Sequence, residues 1–120
     1  MKAFKIRVEP YGRKLWVVIG GDTKDVLRLL KKEGISKKER RKVDLSDCDG
    51  YTYMFDGLFT LLWLQKAPNN PYRKGILAHE IGHTVDFIMS YCNVTRDNDA
   101  NEAFMYLTGW ITQEIYKKLK

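Results

Sequence analysis

Cysteine is scarce. Cys48 and Cys92 are the only two in 120 residues, too few for a disulfide framework, so a packed core has to hold the fold. Long apolar runs are missing as well. None approaches the roughly 20 residues needed to span a bilayer. The opening Met1-Lys2-Ala3-Phe4-Lys5-Ile6-Arg7 has no apolar core like a signal peptide's. Cytoplasmic residence is therefore expected, with both thiols reduced. Internal repeats, low-complexity tracts and linkers are absent too. Histidine is limited to His79 and His83, which excludes any site built from three imidazoles.

What is present fits one soluble globular domain: 44% hydrophobic and 30% charged residues. The net charge of +6 is uneven, because residues 1–60 carry 14 Lys/Arg against 9 Asp/Glu, and residues 61–120 carry 7 against 6. Most of the excess lies between Lys31 and Lys42. Such a run can bind phosphates or an acidic protein, or it can be a solvated helix end and loop. No aromatic residue interleaves with these charges as a base-stacking platform requires, so a nucleic-acid partner is not expected.

The periodicities alternate between strand and helix. Ala3–Glu9 puts Phe4, Ile6 and Val8 on one face of a strand. Pro10-Tyr11-Gly12 reads as a turn, and Lys14–Ile19 as the partner strand of a hairpin. Asp22 or Thr23 can cap a helix running to about Glu33, with Val26, Leu27, Leu29 and Leu30 facing the core and Gly34 as its stop. The basic segment and Asp44–Gly50 read as irregular. Tyr51–Phe55 and Leu58–Gln65 around Asp56-Gly57 read as a second hairpin. Asn70 can cap a helix from Pro71 to about Tyr91, whose apolar stripe is Leu77, Ile81, Val85 and Ile88. A last helix is expected from about Asp99 to Leu119, with Ala103, Leu107, Trp110 and Ile111 inward.

On the Pro71–Tyr91 helix stands His79-Glu80-Ile81-Gly82-His83, an H-E-x-x-H motif. Residues four apart lie about 40° from each other around a helix, so the imidazoles leave one face, roughly opposite the apolar stripe. So placed, they can bind one tetrahedral Zn²⁺, with Glu80 beside it to take a proton. A catalytic zinc usually has three protein ligands, so the third must be a carboxylate or a cysteine. Asp86 shares the histidine face but sits about 10 Å along the axis from His79. It reads either as an acceptor for an imidazole N–H or as a surface charge. Glu102, 19 residues after His83, is better placed, since a helix–loop–helix reversal can bring it back to the metal. Its rival role is to cap the last helix within Asp99-x-x-Glu102.

With Asn101-Glu102-Ala103 following the motif at this distance, the chain resembles the glutamate-zincins, the thermolysin-like clan of metallopeptidases. It also resembles small single-domain peptidases of phages and prophages, and less closely the anti-repressor peptidases of mobile elements. The resemblance covers residues 76 to about 110. It implies an α+β, single-domain zincin-like fold: a small, mainly antiparallel sheet packed against an active-site helix and a C-terminal glutamate helix. It implies Zn²⁺ on His79, His83 and Glu102, with Glu80 as general base in peptide-bond hydrolysis. Fe²⁺, Mn²⁺ and Co²⁺ suit the ligand set less well. Tyr106 replaces the clan's usual aspartate four residues after the glutamate. It reads either as an oxyanion donor or as a core tyrosine. The Leu58–Gln65 strand is expected at the sheet edge, where an extended peptide or protein substrate could add to it. The alternative function is a non-catalytic zinc-binding interaction protein on the same fold. No membrane partner is expected, and oligomeric state stays open.

Overall fold

β-branched and aromatic residues concentrate in four segments, and these form one sheet. The computed structural model describes residues 1–55, 59–97 and 99–120. β1 (Lys2–Val8) pairs antiparallel with β2 (Arg13–Ile19). The turn between them takes Gly12 to φ 67°, a conformation glycine adopts without Cβ strain. β3 (Gly50–Phe55) pairs antiparallel with β4 (Phe59–Leu64). Both expected hairpins are thus present, although the Asp56-Gly57 turn and Leu58 lie outside the described residues. The hairpins join through a parallel β2–β4 pairing, giving the order β1-β2-β4-β3.

That order corrects the expected edge. β4 is hydrogen-bonded on both sides, and the strand at the margin is β3. β4 is buried at all six positions, as a central strand covered on both faces must be. The unbroken apolar run Phe59–Leu64 is the trace of that double burial.

Helices cover the two faces unequally. α1 (Thr23–Lys32) starts with a capping box: Asp22 accepts from the Asp25 N–H, and the Asp25 carboxylate accepts from the Asp22 N–H. Gly34 at φ 84° follows its end. Val26 and Leu30 of α1 pack on Trp16, Val18, Leu61 and Trp63. A four-residue helix, α2 (Lys37–Arg40), is capped by Ser36 within the basic segment expected to be irregular. On the opposite face lie α3 (Pro71–Tyr91) and α4 (Asn101–Leu119). Leu77, Ile81, Val85 and Ile88 of α3 and Leu107 and Ile111 of α4 meet Leu15, Val17, Leu62 and Leu64. The result is a single α+β domain with a mixed sheet, two of whose three pairings are antiparallel. Among the described residues, no helix is long and apolar enough to cross a membrane.

Candidate metal centre

α3 positions the motif through its cap and its stripe. Asn70 accepts from the Arg73 N–H at 2.9 Å, and Pro71 occupies the first turn, where a missing N–H costs nothing. The buried stripe fixes the rotation of the helix, which leaves His79 and His83 exposed. Their Nε2 atoms stand 3.1 Å apart, with the rings nearly perpendicular at 84°. Two nitrogens about 2.0–2.1 Å from one tetrahedral ion would lie roughly 3.3–3.4 Å apart. The pair therefore fits two corners of a common cation. An N–H of one ring donated to the other gives the same spacing. The His83 ring stacks on Phe87 at 6.5 Å between centroids, which limits its rotation.

Glu80 turns toward β3 instead of outward with the histidines. It is 6% exposed. Thr52 of β3 donates its hydroxyl to Glu80 Oε1 at 2.7 Å, and Thr84 donates to the Glu80 carbonyl at 2.9 Å. Gly50 completes the niche. A Cβ there would come within 2.9 Å of Glu80 Cγ and 3.0 Å of Oε2, so the close approach of strand and carboxylate requires glycine. With Oε1 engaged by Thr52, Oε2 is the oxygen left to accept a proton.

Among the described residues, the outer edge of the same strand has main-chain groups without hydrogen-bond partners. The Gln65 N–H donates to the Asp49 carbonyl at 2.9 Å, and Gly50 lies opposite Leu64. In an antiparallel pair, hydrogen-bonded positions alternate. Tyr51, Tyr53 and Phe55 therefore face β4 with their main chain. Gly50, Thr52 and Met54 turn theirs outward, on the strand that also holds Glu80.

The other candidate residues are not gathered at the pair. Among the described residues, no three His, Cys, Asp or Glu side chains form a group able to hold a metal ion. Glu102 is exposed in the first turn of α4. It does not form the cap of the rival reading either. α4 begins after Ala100 without a side-chain cap, and it is Asp97 that accepts from the Ala100 N–H at 2.9 Å. Asp86 is bound to Arg96 at 2.7 Å, and that guanidinium lies over Phe104, so Asp86 is a surface ion-pair partner. Tyr106 is 76% exposed, which overturns its reading as a core residue. It lines a shallow cavity with Glu9, Tyr11, Leu107 and Trp110, whose lining includes neither histidine.

Sequence reasoning missed Thr52 and Gly50. Both lie in a strand 28 or more residues from Glu80, and no local pattern links them to it. Comparison with protein-family models, with curated proteins and with solved structures finds no match.

Proposed function

We propose that the chain is a zinc-dependent peptidase whose centre is the His79–His83 pair, with Glu80 as general base. One observation carries this reading: paired imidazole nitrogens 3.1 Å apart, beside a buried carboxylate that Thr52 holds by one oxygen. The donor types, two imidazoles and a carboxylate, suit zinc, and Glu102 is the residue proposed to complete the set. Bound there, zinc would supply Lewis acidity, polarising a carbonyl and acidifying a water molecule.

The chain's own residues do the rest. A substrate strand added to the outer edge of β3 pairs with the main chain of Gly50, Thr52 and Met54, which orients its backbone beside α3. Glu80 Oε2 accepts the proton of the attacking water and returns it to the leaving amine. Thr52 fixes the carboxylate during both transfers, and burial keeps competing water from Oε1. The proposed substrate is a peptide or protein in extended form, and the proposed setting is the cytoplasm. The kinship with phage-type peptidases belongs to the same proposal, whereas Tyr106, which lines a cavity without either histidine, is given no oxyanion role in it.

A second reading is zinc binding without turnover. It draws on the described residues, in which a third donor is not gathered. The two separate in one experiment, which measures zinc content and cleavage of a quenched peptide library for the unmodified chain and for Glu80→Gln. The expected result is equal zinc in both, with turnover falling by about 10²-fold or more in the variant. Equal turnover removes Glu80 from the base role, and zinc uptake without any cleavage favours the second reading.

A further inference from the structure

We propose that the outer edge of β3 selects an extended peptide carrying a carboxylate side chain on its α2 face, opposite the Tyr53–Phe55 end of the strand. The inference rests on the edge-pairing reading above and names the substrate class for it.

An added strand alternates its side chains between the two faces of the sheet. Those beside Thr52 and Met54 fall on the face of Glu80. Those beside Tyr51, Tyr53 and Phe55 fall on the opposite face, where α2 lies. The Tyr53 hydroxyl donates to Glu39 at 3.5 Å, and the Tyr51 hydroxyl donates to the Lys42 carbonyl at 3.5 Å. A shallow cavity lined by Ser36, Glu39, Lys42, Tyr53, Met54 and Phe55 runs between α2 and this end of the strand. The one carboxylate in that lining, Glu39, is already engaged by Lys42 and Tyr53. Lys37, Lys38 and Arg41 are exposed and form no ion pair among the described residues. Lys37, Lys38, Arg40, Arg41 and Lys42 outnumber Glu39 and the Asp56 that follows Phe55, so the charge beside this end of β3 is net positive.

The other end carries the opposite sign. Asp44, Asp47 and Asp49 lie in the six residues before Gly50, and among the described residues Asp49 alone of the three has a basic partner, Arg73. Charge thus changes sign along a strand of six residues. A bound segment is favoured with acidic side chains toward Phe55 and disfavoured with them toward Gly50. A nucleic acid fits this surface less well. A phosphodiester chain has no amides at strand spacing to pair with Gly50, Thr52 and Met54, and the aspartates repel it. Tyr51 and Tyr53 stack on each other and are partly covered, so they offer no open platform for bases.

The test is a binding scan. A fluorescein-labelled decapeptide of uncharged, strand-forming residues is prepared with a single Glu walked through every position. Binding to the full chain carrying Glu80→Gln is followed by anisotropy at low and high salt. Glu is expected to tighten binding about 1.5- to 5-fold at alternate positions toward one end of the peptide, and to weaken it toward the other. The gain should shrink at high salt. It should reverse in favour of a Lys-walked series when Lys38→Glu and Arg41→Glu are combined. A flat scan, or no binding, overturns the proposal. So does an oligodeoxythymidine that binds more tightly than any peptide and is lost in the same charge reversal. Cleavage of these peptides by the unmodified chain is read separately. Turnover with a flat scan sinks the carboxylate preference and keeps the peptidase, whereas preference without turnover does the reverse.

Discussion

Gly50 lacks a side chain where Glu80 needs the space, and this couples the edge strand to the centre. A methyl group there would meet Ile76 Cγ2 at 2.8 Å as well as Glu80. The glutamate can swing away, but the isoleucine branch packed beside it cannot yield as cheaply. Gly50→Ala is therefore expected to cost about 1–3 kcal/mol by overpacking and to displace the carboxylate from Thr52. Urea unfolding reads the first effect and peptide turnover the second. An unchanged midpoint would mean that strand and helix are not held this closely. Arg13 shows the same long-range logic. It is 4% exposed, its Nε and Nη2 have no hydrogen-bond partner among the described residues, and its guanidinium lies 3.9 Å from the centre of the Tyr91 ring. A buried cation of this kind is supported by an aromatic face supplied from far along the chain. Neither contact is written in any local pattern, because the partners are 26 or more residues apart in sequence.

At the scale of elements, legibility followed the strength of local signals. The Asn70-Pro71 start and the long apolar stripe made α3 readable from Pro71 to Tyr91, and the structure agrees at both ends. α1 was readable for the same reason, since Asp22 and Gly34 bracket it. α4 begins at Asn101, later than the Asp99 expected, because Asp97 and not Asp99 satisfies the Ala100 N–H. α2 escaped notice because four charged residues carry no apolar period. The capping of α1 also makes stability depend on pH. Hydrogen bonding from the Asp25 N–H holds the Asp22 carboxyl below its ordinary value of 3.8, although slight burial opposes this. A lowered folded pKa contributes stability that is complete above the unfolded value. It is lost as pH falls from there through the folded value. Asp22→Asn keeps a capping oxygen but removes the charge. Thermal midpoints of the two proteins should therefore converge as pH drops below about 4, with the steeper acid fall in the unmodified chain. Parallel acid limbs would show that Asp22 ionisation contributes nothing.

For the whole molecule, the sequence made the two hairpins and the histidine face legible but not their assembly. The parallel β2–β4 pairing moves Phe59–Leu64 inward and leaves β3 beside α3, which is what brings Thr52 and Gly50 to Glu80. It depends on the crossover through α1 and α2, and no residue type announces such a crossover. The same assembly sets the consequence of zinc for the entire fold. His79 and His83 lie on α3, whereas Glu102 opens α4. Coordination by all three would tie together helices that otherwise meet through Leu107, Ile111 and their apolar neighbours. An ion that binds the folded state alone stabilises it by about 2.7 kcal/mol at 100 times its Kd. With an unfolding entropy of about 2.1 cal/mol/K per residue, this corresponds to a rise of roughly 10 °C in Tm for a chain of this length. Calorimetry with and without zinc, reversed by a chelator, should record that rise. His83→Ala should abolish it, because one imidazole cannot hold the ion. Glu102→Ala should reduce it while leaving the zinc-free midpoint nearly unchanged, since this exposed carboxylate makes no cap. A full rise in Glu102→Ala would assign the third donor to another residue. A full rise in His83→Ala would remove the paired imidazoles from the site, and the peptidase reading with them.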